Sequence, residues 1–410
     1  MIAKLSLSNF RSIRDSELPL GKITVLTGLN NSGKSSIIYG LLALKNVVLN
    51  PNQSLDSLLN LGFINLGGFE QAVYFKKENS TIALGIHVLE EQIASQYTAS
   101  LSKNDSVLSL NVSMPYPLSV SLDVTFPYSG YKTADAHVSG PFGSVGVTWD
   151  GISSRVEVQP LARGEFRIGE IVLDKNQQEA LRGLSRSLNV AVEELRAVDF
   201  IPLRRGFTKP SYSSVPMQPQ LINEDELATL LAANRDLEAK VAHYLEQMIG
   251  RTFSVRPLIG TANFNLQSRD RSTGFVCDLV NEGFGTNQLV TIMAKALREE
   301  MHTICIEESE IHLHPELMDK LVDVFVNISQ EEGKSFIIST HSEHIVLSLL
   351  NEVAKNRIKP EDVCIYYLSK DGKETKIERQ EVNEKGQVKG GLRGFYEAEL
   401  KQVKEFFSIS

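Results

Sequence analysis

The segment Gly28-Leu-Asn-Asn-Ser-Gly33-Lys34-Ser35 places two glycines, a lysine and a hydroxyl at the spacing GxxxxGK[ST]. Glycines let backbone N–H groups turn inward around phosphate oxygens, and a following helix N-terminus adds the positive end of its dipole. The Lys34 ammonium can then reach the β- and γ-phosphates, and the Ser35 hydroxyl can ligate Mg²⁺. From average composition, such a match arises by chance about once in a hundred chains of this length. The context agrees. Residues 22–27 read as a short β-rich run, and from Ser35 the spacing turns helical, with Ile37, Ile38, Leu41, Leu42 and Leu44. Strand, glycine turn and helix predict a bound nucleoside triphosphate.

Thr303-Ile-Cys-Ile-Glu307-Glu308 ends an apolar run in two acids, at the strand end where ligands of open α/β sheets bind. Glu307, standing where Asp is usual, is assigned to the water shell of Mg²⁺, and Glu308 to accepting a proton from an attacking water. In Ile337-Ile-Ser-Thr340-His341-Ser342 a second strand ends in polar residues, and the His341 imidazole can hydrogen-bond a γ-phosphate. Asn281-Glu-Gly283-Phe-Gly285-Thr-Asn-Gln288 precedes a helical run and offers a second anion-binding helix start. Its natural use is to close on the γ-phosphate of a nucleotide held by another subunit. His312-x-His314 and His341-x-x-His344 have metal-ligand spacing too, but no Cys accompanies them and the triphosphate pattern uses the same residues. Arg204, Arg205 and Lys209 form a small basic cluster, read as a solvated loop or, more sharply, as a contact to a phosphate backbone.

The elements that must position these groups can be read from periodicity. Residues 3–9 alternate as a strand. From about residue 72 to 172 the pattern is β throughout, clearest in Leu118-Ser-Val-Ser-Leu-Asp-Val-Thr-Phe126, with breaks at Pro115-Tyr-Pro117, residues 128–131 and residues 140–146. Residues 174–197 and 223–249 are helical; twenty-six residues from Glu224 would span roughly 39 Å as one helix. Residues 207–220, rich in Pro and Ser, read as a loop. Beyond Gly274 the strand candidates 303–306, 335–339 and 363–368 alternate with helices, which implies a parallel sheet covered on both faces. The expected organisation is a nucleotide-binding part split between residues 1–72 and 266–380. An antiparallel β region (73–173), a helical lobe (174–265) and a C-terminal segment (381–410) complete it.

At 410 residues the chain can bury a large core without disulfides or metals. Apolar residues at 42% and charged residues at 22% exclude a mostly disordered chain. The net charge of −8 argues against a globally basic nucleic-acid binder. Cys277, Cys305 and Cys364 form no CxxC pair, which fits a reducing cytoplasm. The first residues show no signal-peptide pattern, and the apolar stretch 37–49 is too short for a bilayer.

Together, Phe10-Arg11-Ser12, the glycine loop, Glu307-Glu308, Ile311-His-Leu-His314-Pro315 and Thr340-His341-Ser342 resemble ABC-type ATPases of the RecF, SMC and OLD (overcoming lysogenization defect) branch. The likeness is greatest to compact bacterial ATPases that carry an AAA label but are built like ABC heads, OLD-like without a Toprim domain. Ile201-Pro-Leu-Arg204 and Gly394-Phe-Tyr396 look like features of that subgroup, and Ser309 stands where it usually has proline.

The resemblance implies an α/β fold: an ABC-ATPase-like P-loop head with a mixed or parallel core sheet, an antiparallel β insertion and a helical lobe. Gly28, Asn30, Asn31, Ser32, Gly33, Lys34, Ser35 and Ser36 would form the Walker A loop, and residues 304–308 the Walker B strand, with Ser35 and Glu307 at the metal. Gly283 and Gly285 would replace the ABC signature, His341 would be the switch histidine, and Arg11 would lie near the nucleotide. A glutamine linking Mg²⁺ to the helical lobe is expected, with Gln53 and Gln71 as candidates. Such heads form head-to-tail homodimers that sandwich two ATP molecules, so ATP and Mg²⁺ are the implied cofactors and ATP hydrolysis the implied reaction.

The implied role is a conformational switch or scaffold in bacterial anti-phage defence. About forty residues follow Leu368, too few for a Toprim fold, so a separate nuclease or toxin is the expected effector. The alternative is a DNA-repair or DNA-tethering ATPase of the RecF/SMC type, against which the acidic composition counts. A transporter subunit would need a membrane partner, and none is expected.

Overall fold

The computed structural model describes residues 1–90, 93–114, 118–126, 132–140, 143–158, 175–217 and 223–392. The breaks at 115–117 and 128–131 and the Gly394-Phe-Tyr396 motif lie outside them.

The chain opens with β1 (Ile2–Phe10), β2 (Ile13–Pro19) and β3 (Ile23–Gly28), then α1 (Lys34–Leu49) and the single-turn helices α2 (Leu55–Leu58) and α3 (Phe69–Ala72). A run of strands follows: β4 (Ile82–Glu90), β5 (Ile93–Leu101), β6 (Ser106–Met114), β7 (Leu118–Phe126), β8 (Ala134–Gly140), β9 (Gly143–Trp149) and β10 (Ser154–Val158). Next come α4 (Lys175–Arg196), β11 (Val198–Ile201), β12 (Tyr212–Ser213), α5 (Glu224–Ala233), α6 (Arg235–Ile249), β13 (Arg251–Pro257), β14 (Asn263–Asp270) and β15 (Val276–Asp278). The last third holds α7 (Phe284–Ala296), β16 (Thr303–Glu307), α8 (Pro315–Glu331), β17 (Ser335–Ser339), α9 (Glu343–Ala354), β18 (Val363–Asp371) and β19 (Glu374–Gln380).

Two compact units divide the chain, and the path passes between them several times. One comprises Met1–Leu20, Ser36–Val198 and Gly372–Thr375; the other comprises Gly21–Ser35, Asp199–Asp371 and Lys376–Ser410. In the first unit an antiparallel sheet runs β2-β1-β4-β5-β6-β7, beside a three-stranded sheet β10-β9-β8. Strict alternation explains it: Val120, Leu122, Val124 and Phe126 of β7 are buried, while the intervening Ser119, Ser121, Asp123 and Thr125 are exposed. α4 lays Leu184, Leu188, Ala191 and Leu195 into this core. The Tyr97 and Trp149 rings meet edge to face at 6.2 Å, and the Tyr97 hydroxyl donates to Gly151 O (2.9 Å). β1 and β2 therefore belong to the antiparallel sheet, although they directly precede the glycine loop in sequence.

The second unit is built on a sheet ordered β11-β16-β17-β3-β18-β19. β3 lies between β17 and β18 and is parallel to both, with Val25 paired to Ile338 on one side and Ile365 on the other. β16 runs parallel to β17. Every residue of β16 and β17 is buried, as a parallel sheet covered on both faces requires. Phe325 of α8 packs on Phe336 of β17 with ring centroids 4.7 Å apart. Segments more than 270 residues apart in sequence thus end their strands side by side, as alternation of β and α beyond Gly274 predicts.

Residues 223–249 form two helices rather than one. Asn234 leaves helical geometry at φ −112°, ψ 100°, and its side chain accepts from Leu237 N (3.0 Å), capping α6. Asn223 begins α5 with a capping box closed by Glu226. An Asn midway along an apolar periodicity therefore reads as a start signal, not as an interior residue.

Candidate phosphate site

β3 delivers the chain to Gly28, where φ is +135° and an added Cβ would lie 2.1 Å from Leu368 O of β18. Only glycine fits that turn. Asn31 at φ +62° and Gly33 at φ +109° carry the loop around into α1. Lys34, the first residue of α1, is buried and folds its side chain back into the loop, where Nζ donates to Gly28 O (2.9 Å) and Leu29 O (3.1 Å). Burial lowers its pKa to about 8, against the attraction of Glu308 and Glu310, which raises it. Ser35 follows directly, and Ser36 is buried.

β16 ends at Glu307, and Glu308 N extends the ladder by donating to Ser339 O of β17 (2.8 Å). Glu308 then takes the left-handed region at φ +44°, turning its carboxylate toward His341; Nε2 of that imidazole lies 3.7 Å from Glu308 Oε1. Burial and the Lys34 charge push His341 down, which favours a neutral ring, while Glu308 and Glu310 pull the other way. The structure therefore gathers Lys34, Glu308 and His341 into one electrostatic neighbourhood.

Two further groups belong to this turn. Glu310 Oε1 accepts from Thr340 Oγ1 and from His341 N, both at 2.7 Å, tying the acidic turn to the histidine loop. Arg205, read in sequence as part of a basic loop cluster, instead points inward. Its Nη1 donates to Glu307 O and its Nη2 to Glu308 O, each at 2.7 Å, and Nη1 also reaches Pro202 O (3.1 Å). Burial lowers its pKa to about 10, against the pull of Glu310, Glu308 and Glu307. Of the other cluster members, Arg204 is exposed and Lys209 pairs with Asp225 (2.6 Å). A third carboxylate two residues after an acidic pair was the available signal for Glu310; a loop arginine a hundred residues away carried none.

Gly283 is the N-cap of α7, and the nearest atoms to a Cβ at Gly285 would be His312 O (3.2 Å) and Leu313 Cδ2 (3.5 Å). Phe284 is exposed and its ring lies 5.3 Å from that of His312. His314 caps α8, Nδ1 accepting from Glu316 N (3.4 Å), so it serves the helix start. Ser309, in the proline position of the resemblance, is fully buried. Arg11 belongs to the first unit: its φ is +54°, its N donates to Ala72 O (2.6 Å), and its guanidinium lies 5.6 Å from the Tyr39 ring centroid. Gln53 and Gln71 are exposed in the same unit.

The donor set suits a magnesium nucleotide. Glycine-permitted backbone, a helix N-terminus and a desolvated ammonium face phosphate chemistry, while a hydroxyl and a carboxylate are the hard oxygen donors Mg²⁺ prefers. No helix among the described residues is long and apolar enough to cross a membrane.

Among solved structures the chain is similar to the SMC head domain from Thermotoga maritima, at 10% identity and TM-score 0.42, covering 93% of this chain and 99% of that one. It is similar to an SmcHead bound to the C-winged helix domain of ScpA, at 11% identity and TM-score 0.48, covering 93% and 98%. A third is the Smc head with an extended coiled coil bound to the C-terminal domain of ScpA derived from Pyrococcus furiosus, at 11% and 0.43, covering 99% of both chains. No curated protein sequence matches the chain. The AAA ATPase domain profile matches residues 1–113 and 208–346, more than half of the sequence and inclusive of the glycine loop, the acidic turn and His341. The chain belongs to the AAA ATPase domain family.

Proposed function

We propose that the chain binds ATP with Mg²⁺ at the Gly28–Ser36 loop and hydrolyses it to ADP and phosphate in a head-to-tail homodimer of the ABC type. The observation that carries the reading is the meeting of Lys34, Glu308 and His341 at the ends of parallel strands β3, β16 and β17. Each residue has a distinct task. Lys34 exchanges its bonds to Gly28 O and Leu29 O for the β- and γ-phosphate oxygens. Ser35 and Glu307 would hold Mg²⁺, which neutralises charge on the triphosphate when bound. Glu308 accepts the proton of the attacking water, and His341, kept neutral, hydrogen-bonds the terminal phosphate. Gly283 and Gly285 meet the terminal phosphate held by the twin subunit.

Such a site is a switch: ATP favours the closed dimer, hydrolysis releases it, and a partner reads the difference. The role we infer is anti-phage defence in bacteria, with a separate nuclease or toxin as effector. It is supported by the motif resemblance of Glu307-Glu308-Ser-Glu-Ile-His-Leu-His-Pro315 to compact ATPases of that kind. The test is steady-state phosphate release. Glu308→Gln is expected to lose about 10²- to 10⁴-fold in kcat while still binding ATP, and Lys34→Ala to lose ATP binding. Normal turnover by the first and wild-type affinity in the second would refute the assignment. Turnover strongly stimulated by DNA and quenched by salt would favour the DNA-tethering alternative.

A further inference from the structure

The loop after β11 makes contacts at both ends of the chemistry. On one side the Arg205 guanidinium forks onto Glu307 O and Glu308 O, the two carbonyls that frame the catalytic carboxylate. Two residues on, Phe207 N donates to Asn287 Oδ1 (2.7 Å), and Asn287 Nδ2 donates back to Phe207 O (2.8 Å). Asn287 lies in the first turn of α7, and its own N–H bonds to Gly283 O (3.3 Å). Gly206, between the two anchors, has φ +127° and packs on the same Asn287 amide, where a Cβ would come to 3.2 Å of Oδ1. A three-residue segment thus spans from the signature-like helix start to the backbone of Glu308.

The acidic turn needs such support. Glu308 at φ +44° is in a region that costs a non-glycine residue about 1 kcal/mol or more and persists only where surroundings impose it. Ser339 O fixes the N–H of Glu308, and Arg205 fixes the carbonyls on either side of that N–H. The guanidinium is rigid and planar, so it sets both carbonyls at once; a lysine at this position presents a single point charge and cannot. The turn meets α7 a second time where Gly285 abuts His312 O and Phe284 faces the His312 ring.

We propose that Arg205-Gly206-Phe207 is a coupling strut through which the first turn of α7 sets the position of Glu308, so that a triphosphate engaged at Gly283 and Gly285 switches on hydrolysis at the same chain's own glycine loop. The coupling to a second nucleotide rests on the head-to-tail reading above; the mechanical link from Asn287 to Glu308 does not. Arg205 and Asn287 are positioning residues: neither touches the reacting atoms, and both act through the backbone of the acidic turn.

The experiment compares the wild-type full-length chain with Asn287→Ala, Arg205→Lys and the double variant. Hydrogen–deuterium exchange is followed in nucleotide-free protein, and ATP turnover in parallel. Asn287→Ala, twenty or more residues away in sequence from the acidic turn, is expected to speed exchange severalfold in residues 306–313, about as much as Arg205→Lys does. The double variant should add little to either, because both cut one strut. kcat is expected to fall about 10- to 100-fold with KM for ATP within about twofold, the split that misplacement of a catalytic group produces. If Asn287→Ala speeds exchange only in residues 205–208 and 279–288, and leaves 306–313 and kcat as in the wild type, the strut is refuted. A wild-type chain without ATP turnover would refute the hydrolytic reading instead, and the exchange data would still decide the strut.

Discussion

The depressed pKa of Lys34 predicts that nucleotide binding takes up a proton, and the size of the effect follows from the structure. Burial brings the ammonium from 10.5 to about 8, because Gly28 O and Leu29 O replace water only in part. A triphosphate placed against the same nitrogen favours the charged form and restores the pKa toward its ordinary range. Near pH 9 about nine-tenths of the free sites are then neutral, so binding takes up close to one proton per site, against about half a proton near pH 8. Apparent ATP affinity should fall by about tenfold, or 1.4 kcal/mol, for each pH unit above about 8. Titration calorimetry in buffers of different ionisation enthalpy reads the proton count directly. Lys34→Arg, charged throughout, should abolish the slope whatever its absolute affinity. The stability of the free protein carries the opposite sign. The unfolded lysine binds its proton more tightly than the folded one, so this group adds stability as pH rises from about 8 to 10.5. Affinity flat between pH 7 and 9.5, or no buffer-dependent heat, would refute the reasoning.

Two further outcomes test how the fold holds the site. Gly28→Ala puts a Cβ 2.1 Å from Leu368 O at φ +135°, so it is expected to lower the melting temperature and remove ATP binding together, with strain of about 1–3 kcal/mol before any clash is relieved. Calorimetric melting with and without nucleotide checks it. Asp199 of β11 is buried between Lys295 (3.4 Å) and Arg298 (3.0 Å) of the segment that ends α7. Asp199→Ala leaves two cations without that carboxylate and should cost about 3–5 kcal/mol in denaturant unfolding; a loss under about 1 kcal/mol would show that water reaches the network.

What the sequence disclosed was whatever is local. The glycine loop declares itself because its geometry is set by neighbours in the chain: Gly28 and Gly33 need positive φ, and strand and helix flank them. The buried parallel strands were legible as short apolar runs for the same reason. The break at Asn234 is hidden in the sequence because α5 and α6 share one apolar periodicity and differ only at a capping residue. That β1 pairs with β4 and β2, and not with β3, depends on register across eighty residues, which alternation alone does not specify. The inward role of Arg205 is hidden for a related reason. A basic residue in a Pro/Ser-rich loop looks solvated, and its partners are carbonyl groups, which every residue has and no sequence pattern marks.

Arg205 also resolves an electrostatic difficulty that the acidic turn poses by itself. Glu307, Glu308 and Glu310 put three carboxylates in four residues beside a loop built to attract a polyanion. Alone, they would repel the triphosphate proposed to bind there. Lys34 and Arg205 offset two of those charges, and each feels both Glu308 and Glu310. Their burial costs more than this attraction returns, since both are shifted toward the neutral form. With His341 neutral, one negative charge remains in excess, which a divalent cation arriving with the nucleotide can meet. The cation–carboxylate cluster is therefore poised, not satisfied, in the free protein. Charge brought by a ligand is expected to complete it; the acidic turn itself is held by its backbone, through Arg205 and Ser339.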